Sequence, residues 1–218
     1  MPNELLFRAL FTVLWLIFIS NLLWVRYSLR EPKSEPPSDR KAKREARLHI
    51  VALALFGPAW FGGIILYIVM PNWIAFLSIP LPDWFRLIMA GVTALSIPLI
   101  LWAYRTIGKN WVHALDPSKF MRREGEALVT SGPYRYVRNP IYSASFVFIV
   151  ALALLAANWL LLLPAVVLIA IIYGQIPKEE LMLIERFGDE YREYMSRTPR
   201  IIPRFRRSAM TRNSRQPP

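Results

Sequence analysis

Two polar stretches carry the residue types that do chemistry. The first is Leu128-Val129-Thr130-Ser131-Gly132-Pro133-Tyr134-Arg135-Tyr136-Val137-Arg138-Asn139-Pro140-Ile141-Tyr142. The second begins Lys178-Glu179-Glu180-Leu181 and runs on to Phe187-Gly188 and Tyr191. Ser131-Gly132-Pro133-Tyr134 is a turn sequence: Gly permits positive φ and Pro fixes the next φ. Such a turn brings backbone N–H groups near a ligand without side-chain obstruction. Tyr134, Tyr136 and Tyr142 offer aromatic faces on which a purine could stack, and Arg135 and Arg138 are donors for a carboxylate. Of the paired acids, one carboxylate is expected to take a ligand hydroxyl or ammonium and the other to brace an arginine across the site. An ordinary interfacial loop and an acid-rich first helical turn would use the same residue types, so residue type alone leaves both readings open.

The elements that must position these stretches are membrane helices. The chain has 218 residues, 55% of them hydrophobic, with a mean hydropathy of +0.31, and the apolar residues come in long blocks. Leu5 to Val25 reads as a first span. A signal peptide is the rival reading, weakened by the missing basic n-region, the length, and the lack of a small-residue cleavage site. Arg26 to Arg47 is a polar, basic linker with three prolines, and Asp39 is a candidate N-cap for a short helix at its end. Leu48 to Met70 is a second span in which Gly57-Pro58 and Gly62-Gly63 suggest a kink or a close helix approach. Pro71 to Asp83 reads as a re-entrant or interfacial loop, with Trp73 and Trp84 in an aromatic belt. Phe85 to Tyr104 is a third span, with Pro98 as its kink. Ile141 to Ala157 and Trp159 to Tyr173 form a hairpin of two minimal spans turning at Asn158.

The net charge of +12 does not point to nucleic acid, because the basic residues fall between apolar blocks. Of 27 Lys and Arg, eight lie in 26–47, seven in 105–140 and ten from Lys178 onward, leaving Arg8 and Arg86. The positive-inside rule then puts the N-terminus outside and all three basic segments in the cytosol. Both polar stretches are therefore predicted to face one compartment. The tail is predicted to open with one amphipathic helix carrying Leu183, Phe187, Tyr191 and Met195 on one face and ending at Pro199. The last dozen residues read as disordered and able to touch anionic headgroups. With no cysteine and only His49 and His113, disulfides, a thiol nucleophile and a structural zinc site are excluded.

The central motif, the apolar hairpin, Glu-Glu-Leu, Phe-Gly-Asp-Glu-Tyr-Arg-Glu-Tyr and the closing Pro-Arg-Ile-Ile-Pro together resemble the isoprenylcysteine carboxyl methyltransferase family. They resemble the phospholipid N-methyltransferases more distantly. The resemblance covers roughly residues 105–203. It implies an all-α integral membrane bundle of about five spans that uses S-adenosylmethionine. The expected division is three spans and a basic linker in 1–104, a methyltransferase core in 105–203, and a basic tail in 204–218. Carried over by position, Leu128 and Val129 present backbone to the adenine, flanked by Glu126 and Ala127. Tyr134 lies beside the cofactor, Asn139, Pro140, Ile141 and Tyr142 contact it next, and Glu179 holds its ribose or amino-acid part. Arg138 and Glu180 are the candidates for ordering the methyl acceptor.

Two positions depart from the family pattern. Asn139 stands where the family usually has His, and an amide can still donate and accept hydrogen bonds. Gln175 stands where the family has a substrate-side arginine, so a prenylcysteine carboxylate would lack that partner unless Lys178 supplies it. The expected chemistry is direct methyl transfer to a lipophilic or prenylated acceptor within the membrane, which needs alignment and exclusion of water. Rival readings are a phospholipid or small-molecule N- or S-methyltransferase and a non-enzymatic lipid-binding protein. The expected location is a prokaryotic plasma membrane with the site facing the cytoplasm.

Overall fold

A computed structural model describes residues 3–28, 58, 60–108 and 127–203. Seven α-helices are described: α1 Glu4–Ser28, α2 Trp60–Val69, α3 Asp83–Ile107, α4 Pro140–Ala156, α5 Trp159–Tyr173, α6 Ile176–Phe187 and α7 Asp189–Arg197. Short 3-10 turns occupy Pro71–Leu77 and Gly132–Arg135. The protein is an all-α membrane bundle, as the apolar blocks required. Three helical stretches are long and apolar enough to cross a bilayer: Glu4–Val25, Asp83–Ile107 and Trp159–Phe187. The third joins α5 to α6, because Gly174 and Gln175 keep right-handed helical angles between them. The short α5 therefore gains length from a helix that the sequence assigned to the tail. α2 bends by 115° into the Pro71–Leu77 turn, in keeping with a re-entrant or interfacial segment.

Packing follows from where small residues fall. The buried stripe of α3 is Arg86, Ala90, Thr93, Ile97, Ile100 and Tyr104, with Ser96 and Ala103 beside it. That spacing of three and four keeps one face toward the bundle. α3 packs chiefly against α4, whose buried face includes Ala144, Phe148, Ala151, Leu152 and Leu155. In lipid no hydrophobic force separates helix from solvent, so close contact between small residues does the work. The same logic applies to Gly63, where an added Cβ would lie 3.1 Å from Leu161 of α5, whereas a Cβ on Gly62 would meet nothing within 4 Å. Only one of the two glycines thus marks a close approach. Gly57, the charged linker 29–47, Asp39, His49 and His113 lie outside the described residues.

Polar contacts define the two ends of the bundle. At one end, Glu4 of α1 pairs with Arg86 of α3 at 2.5 Å. Arg86 also donates to the Leu155 carbonyl at the end of α4 and stacks over Phe7 at 3.9 Å. A guanidinium that is 1% exposed within a membrane bundle needs this full set of partners. The α4–α5 hairpin turns at the same end. Ala157 takes a left-handed conformation, with φ 50°. Asn158 caps α5 by accepting from Leu160 N, and its Nδ2 donates to the Ile74 carbonyl at 3.0 Å. Asn158 is thus more than a turn residue: one buried amide holds the hairpin and the Pro71–Leu77 segment together. Asn158→Ala removes the cap and strands the Ile74 carbonyl. It is expected to lower bundle stability by about 1–3 kcal/mol, read as a lower melting temperature in detergent.

At the opposite end lie Ser28, Ile107, the 127–139 loop and the α6–α7 tail. The loop and the tail are brought together there, as the charge count required of segments facing one compartment.

Candidate functional site

The loop enters the site over the end of α3. Gly132 has φ +57°, and a Cβ there would stand 2.9 Å from Thr106 Oγ1 and 3.1 Å from its methyl. Only glycine satisfies both the conformation and the closeness. The Gly132–Arg135 turn that follows buries Pro133 and Tyr134. The Tyr134 carbonyl accepts a 2.5 Å hydrogen bond from the Tyr194 hydroxyl of α7. Burial holds the Tyr134 hydroxyl well above its ordinary value, reinforced by the neighbouring Tyr194 and Tyr104 phenols, so it stays protonated. Burial raises Tyr191 and Tyr194 in the same way. Tyr136 is 52% exposed, and Arg135 lies over its ring at 5.1 Å. Of the three tyrosines considered for stacking, Tyr134 is buried and Tyr142 half-buried, whereas Tyr136 and Arg135 face outward.

The paired acids divide their roles as their adjacency on a helix suggests. Glu179 Oε1 accepts from the Tyr142 hydroxyl at 2.7 Å, tying the first turn of α6 to the first turn of α4. Glu180 is 3% exposed and braces two arginines. Its Oε1 accepts from Arg138 Nε at 2.9 Å and Nη2 at 2.8 Å. Its Oε2 accepts from Arg200 Nε at 3.0 Å and Nη2 at 2.5 Å. The hydrogen bond to Glu180 holds the Arg200 guanidinium above its ordinary value. Arg138 Nη1 donates to the Met195 and Thr198 carbonyls at 3.0 and 2.6 Å.

A C-terminal strap completes the arrangement. Arg138 N donates to the Pro199 carbonyl and Asn139 N to the Arg200 carbonyl, at 2.8 and 3.1 Å. The Asn139 side chain reaches the same Arg200 carbonyl at 3.3 Å, and Ser143 Oγ donates to the Ile201 carbonyl at 2.8 Å. Pro140 opens α4 at a position where its missing N–H costs nothing.

The remaining candidates are placed as follows. Leu128 and Val129 are half-buried in the irregular run before the turn, and Ala127 is exposed. The Ile141 side chain belongs to the apolar core. Gln175 stands at the start of α6, its carbonyl accepting from the Lys178 and Glu179 amides. Glu126 lies outside the described residues. The tail also departs from the expected single helix. Gly188, with φ +57°, separates α6 from α7, and the buried positions are Ile176, Glu180, Tyr191 and Tyr194, with Leu183 and Phe187 half-buried. Sequence reasoning missed Tyr194, Ser143 and Arg200. Arg200 had a signal, being the one charge inside the closing Pro-Arg-Ile-Ile-Pro.

Comparison with known proteins joins this geometry to a class. A protein-family model for phospholipid methyltransferases matches residues 85–190, just under half of the chain, from the start of α3 into α7. Protein-S-isoprenylcysteine O-methyltransferase B of Arabidopsis thaliana is 33% identical over 116 residues, 52% of this chain and 57% of that protein. Methanethiol S-methyltransferase 1 of Bradyrhizobium diazoefficiens is 45% identical over 75 residues, 34% of this chain and 25% of that protein. Nickel-cobalt-cadmium resistance protein NccN of Alcaligenes xylosoxydans xylosoxydans is 32% identical over 111 residues, 51% of this chain and 50% of that protein. The chain thus spans about half the length of two of these relatives and a quarter of the third. These relatives bear out the resemblance to the isoprenylcysteine methyltransferases.

Proposed function

We propose that this chain is a membrane methyltransferase that takes a methyl group from S-adenosylmethionine and passes it to a lipophilic acceptor at the cytoplasmic boundary of the bilayer. The observation that carries the reading is the Tyr142–Glu179 hydrogen bond. It fixes a carboxylate between the first turns of α4 and α6, inside the segment matched by the phospholipid methyltransferase family model.

The residues present fit such a donor. Among the described residues Glu179 is held through one oxygen, leaving the other as an acceptor for ribose hydroxyls or an ammonium group. Tyr134, buried and protonated, offers a neutral aromatic face, and the backbone of Leu128 and Val129 leads into it. Asn139 and Pro140 set the direction of α4, so that Tyr142 points at Glu179. When bound, the donor supplies an electrophilic methyl on a sulfonium. The chain's own part is to hold and orient, and to keep water from the reacting pair. Arg138 and Glu180, expected to order the acceptor, are engaged with each other, with Arg200 and with tail carbonyls. Their part in the proposal is to position the acceptor-side wall rather than to touch the acceptor. Five crossings, with α2 and α4 as short spans, put this end of the bundle in the cytoplasm by the positive-inside rule.

The acceptor follows from relatives and from one residue. An isoprenylcysteine acceptor agrees with the Arabidopsis relative. A second reading, a small thiol, is favoured by the neutral Gln175 and by the relative named for methanethiol. Calorimetry of S-adenosylmethionine on the detergent-purified full-length protein tests the donor site. Micromolar binding supports the proposal, and the absence of binding by folded protein overturns it. Methyl transfer to a prenylcysteine analogue or to methanethiol then separates the two acceptors.

A further inference from the structure

We infer that Arg200 is a positioning residue for the donor site, acting through Glu180 from the C-terminal strap. The inference rests on the proposed donor role of Glu179. Neither the loop motif nor the acid pair assigns Arg200 a part.

The argument starts from α6. This helix begins after the two-residue turn Gly174–Gln175, and its N-cap residue makes no side-chain capping bond. The helical backbone runs on from α5 through these two residues, and side chains further along fix how the face of α6 meets α4 and the loop. Adjacent helical residues point about 100° apart, so Glu179 and Glu180 face different neighbours. Glu179 faces Tyr142 of α4, and Glu180 faces the strap and the loop. Pinning Glu180 therefore sets the direction of Glu179. Glu180 is pinned from both sides: Arg138 holds Oε1 from the loop, and Arg200 holds Oε2 from the strap with two nitrogens. Without Arg200, the buried Glu180 carboxylate keeps one guanidinium and is free to turn about it, and α6 with it.

Arg200 suits this role better than Arg138. Its side chain is 35% exposed where that of Arg138 is 9% exposed, so its loss leaves neither a buried gap nor a stranded carbonyl. The strap that carries it is fixed independently by main-chain hydrogen bonds to Arg138, Asn139 and Ser143. One side chain thus ties the strap to α6 and, through Glu180, to Arg138 of the loop.

The test is a double-mutant cycle on donor affinity, with S-adenosylmethionine titrated into full-length protein in detergent. Arg200→Ala is expected to weaken binding about tenfold, with a smaller fall in melting temperature than Glu180→Ala gives, and Arg200→Lys to restore part of the loss. In a Glu180→Gln background, Arg200→Ala should add nothing further, because the group it acts through has lost its charge. Wild-type affinity in Arg200→Ala overturns the inference, and so does an equal loss in both backgrounds, which would put Arg200 in direct contact with the ligand. Should Arg200→Ala fail to fold, Arg200→Lys and Arg200→Gln carry the same comparison. Absence of binding by the wild type would instead defeat the donor-site reading itself.

Discussion

Glu180→Ala is expected to loosen the whole C-terminal end of the protein. The substitution leaves Arg138, 9% exposed, with its charge unanswered, and it frees Arg200 from the tail helix. Removing one partner of a buried ion pair typically costs about 3–5 kcal/mol, mostly because the other charge stays desolvated. The loss should be local. Amide hydrogen exchange across residues 176–203 should accelerate, while α3 and α4, packed around small residues and Arg86, keep their protection. Glu180→Gln keeps one oxygen for Arg138 but turns an N–H donor toward Arg200, so it should lose less than Glu180→Ala. Replacing Arg138 and Glu180 together by Met and Leu should cost less than the two single losses added, because no unpaired charge remains. If Glu180→Ala left tail protection at the wild-type level, the Arg138–Glu180–Arg200 cluster would not be what holds the tail against the loop.

The same cluster marks the boundary of what is legible in the sequence. The apolar blocks could be read directly, because each membrane helix must satisfy its backbone internally and bury or expose a long apolar face. The charge count put the loop and the tail at one end because basic residues obey membrane topology. The acid pair could be read as one brace and one carboxylate pointing elsewhere, since adjacent helical residues cannot share a direction. Which arginine Glu180 braces was another matter. Its contacts come from 42 residues before and 20 after, and no local pattern links them. The face of the tail was misjudged because a four-residue repeat through Leu183, Phe187, Tyr191 and Met195 assumes an unbroken helix, and Gly188 resets the phase at a positive φ. Tyr136 was indistinguishable from Tyr134 by type. The 3-10 turn decides between them, sending one ring inward and the other out. Asn158 read as a turn residue. That its amide also reaches the Ile74 carbonyl, 84 residues away, depends on how α2 bends, which nothing local to Asn158 encodes.

Tyr142→Phe and Glu179→Gln should separate what fixes the carboxylate from what the carboxylate does. Tyr142→Phe removes the hydroxyl and leaves the ring stacked on Phe146. It therefore takes away only the 2.7 Å bond to Glu179. A hydrogen bond to a charged group contributes about 1.5–3 kcal/mol. If half of that reaches the ligand through better placement, donor affinity should fall about threefold to tenfold. Glu179→Gln keeps the shape and a donor–acceptor pair but removes the charge, and Glu179→Ala removes both. The expected order of donor affinity is wild type, Tyr142→Phe, Glu179→Gln, Glu179→Ala, with the last down by about a hundredfold. A direct ligand contact requires Glu179→Ala to be much worse than Tyr142→Phe. If the two substitutions weaken binding equally, Glu179 serves only as the partner of Tyr142 and the donor is held elsewhere in the 127–142 strip. If neither changes the affinity measured by calorimetry, the donor site does not lie between α4 and α6.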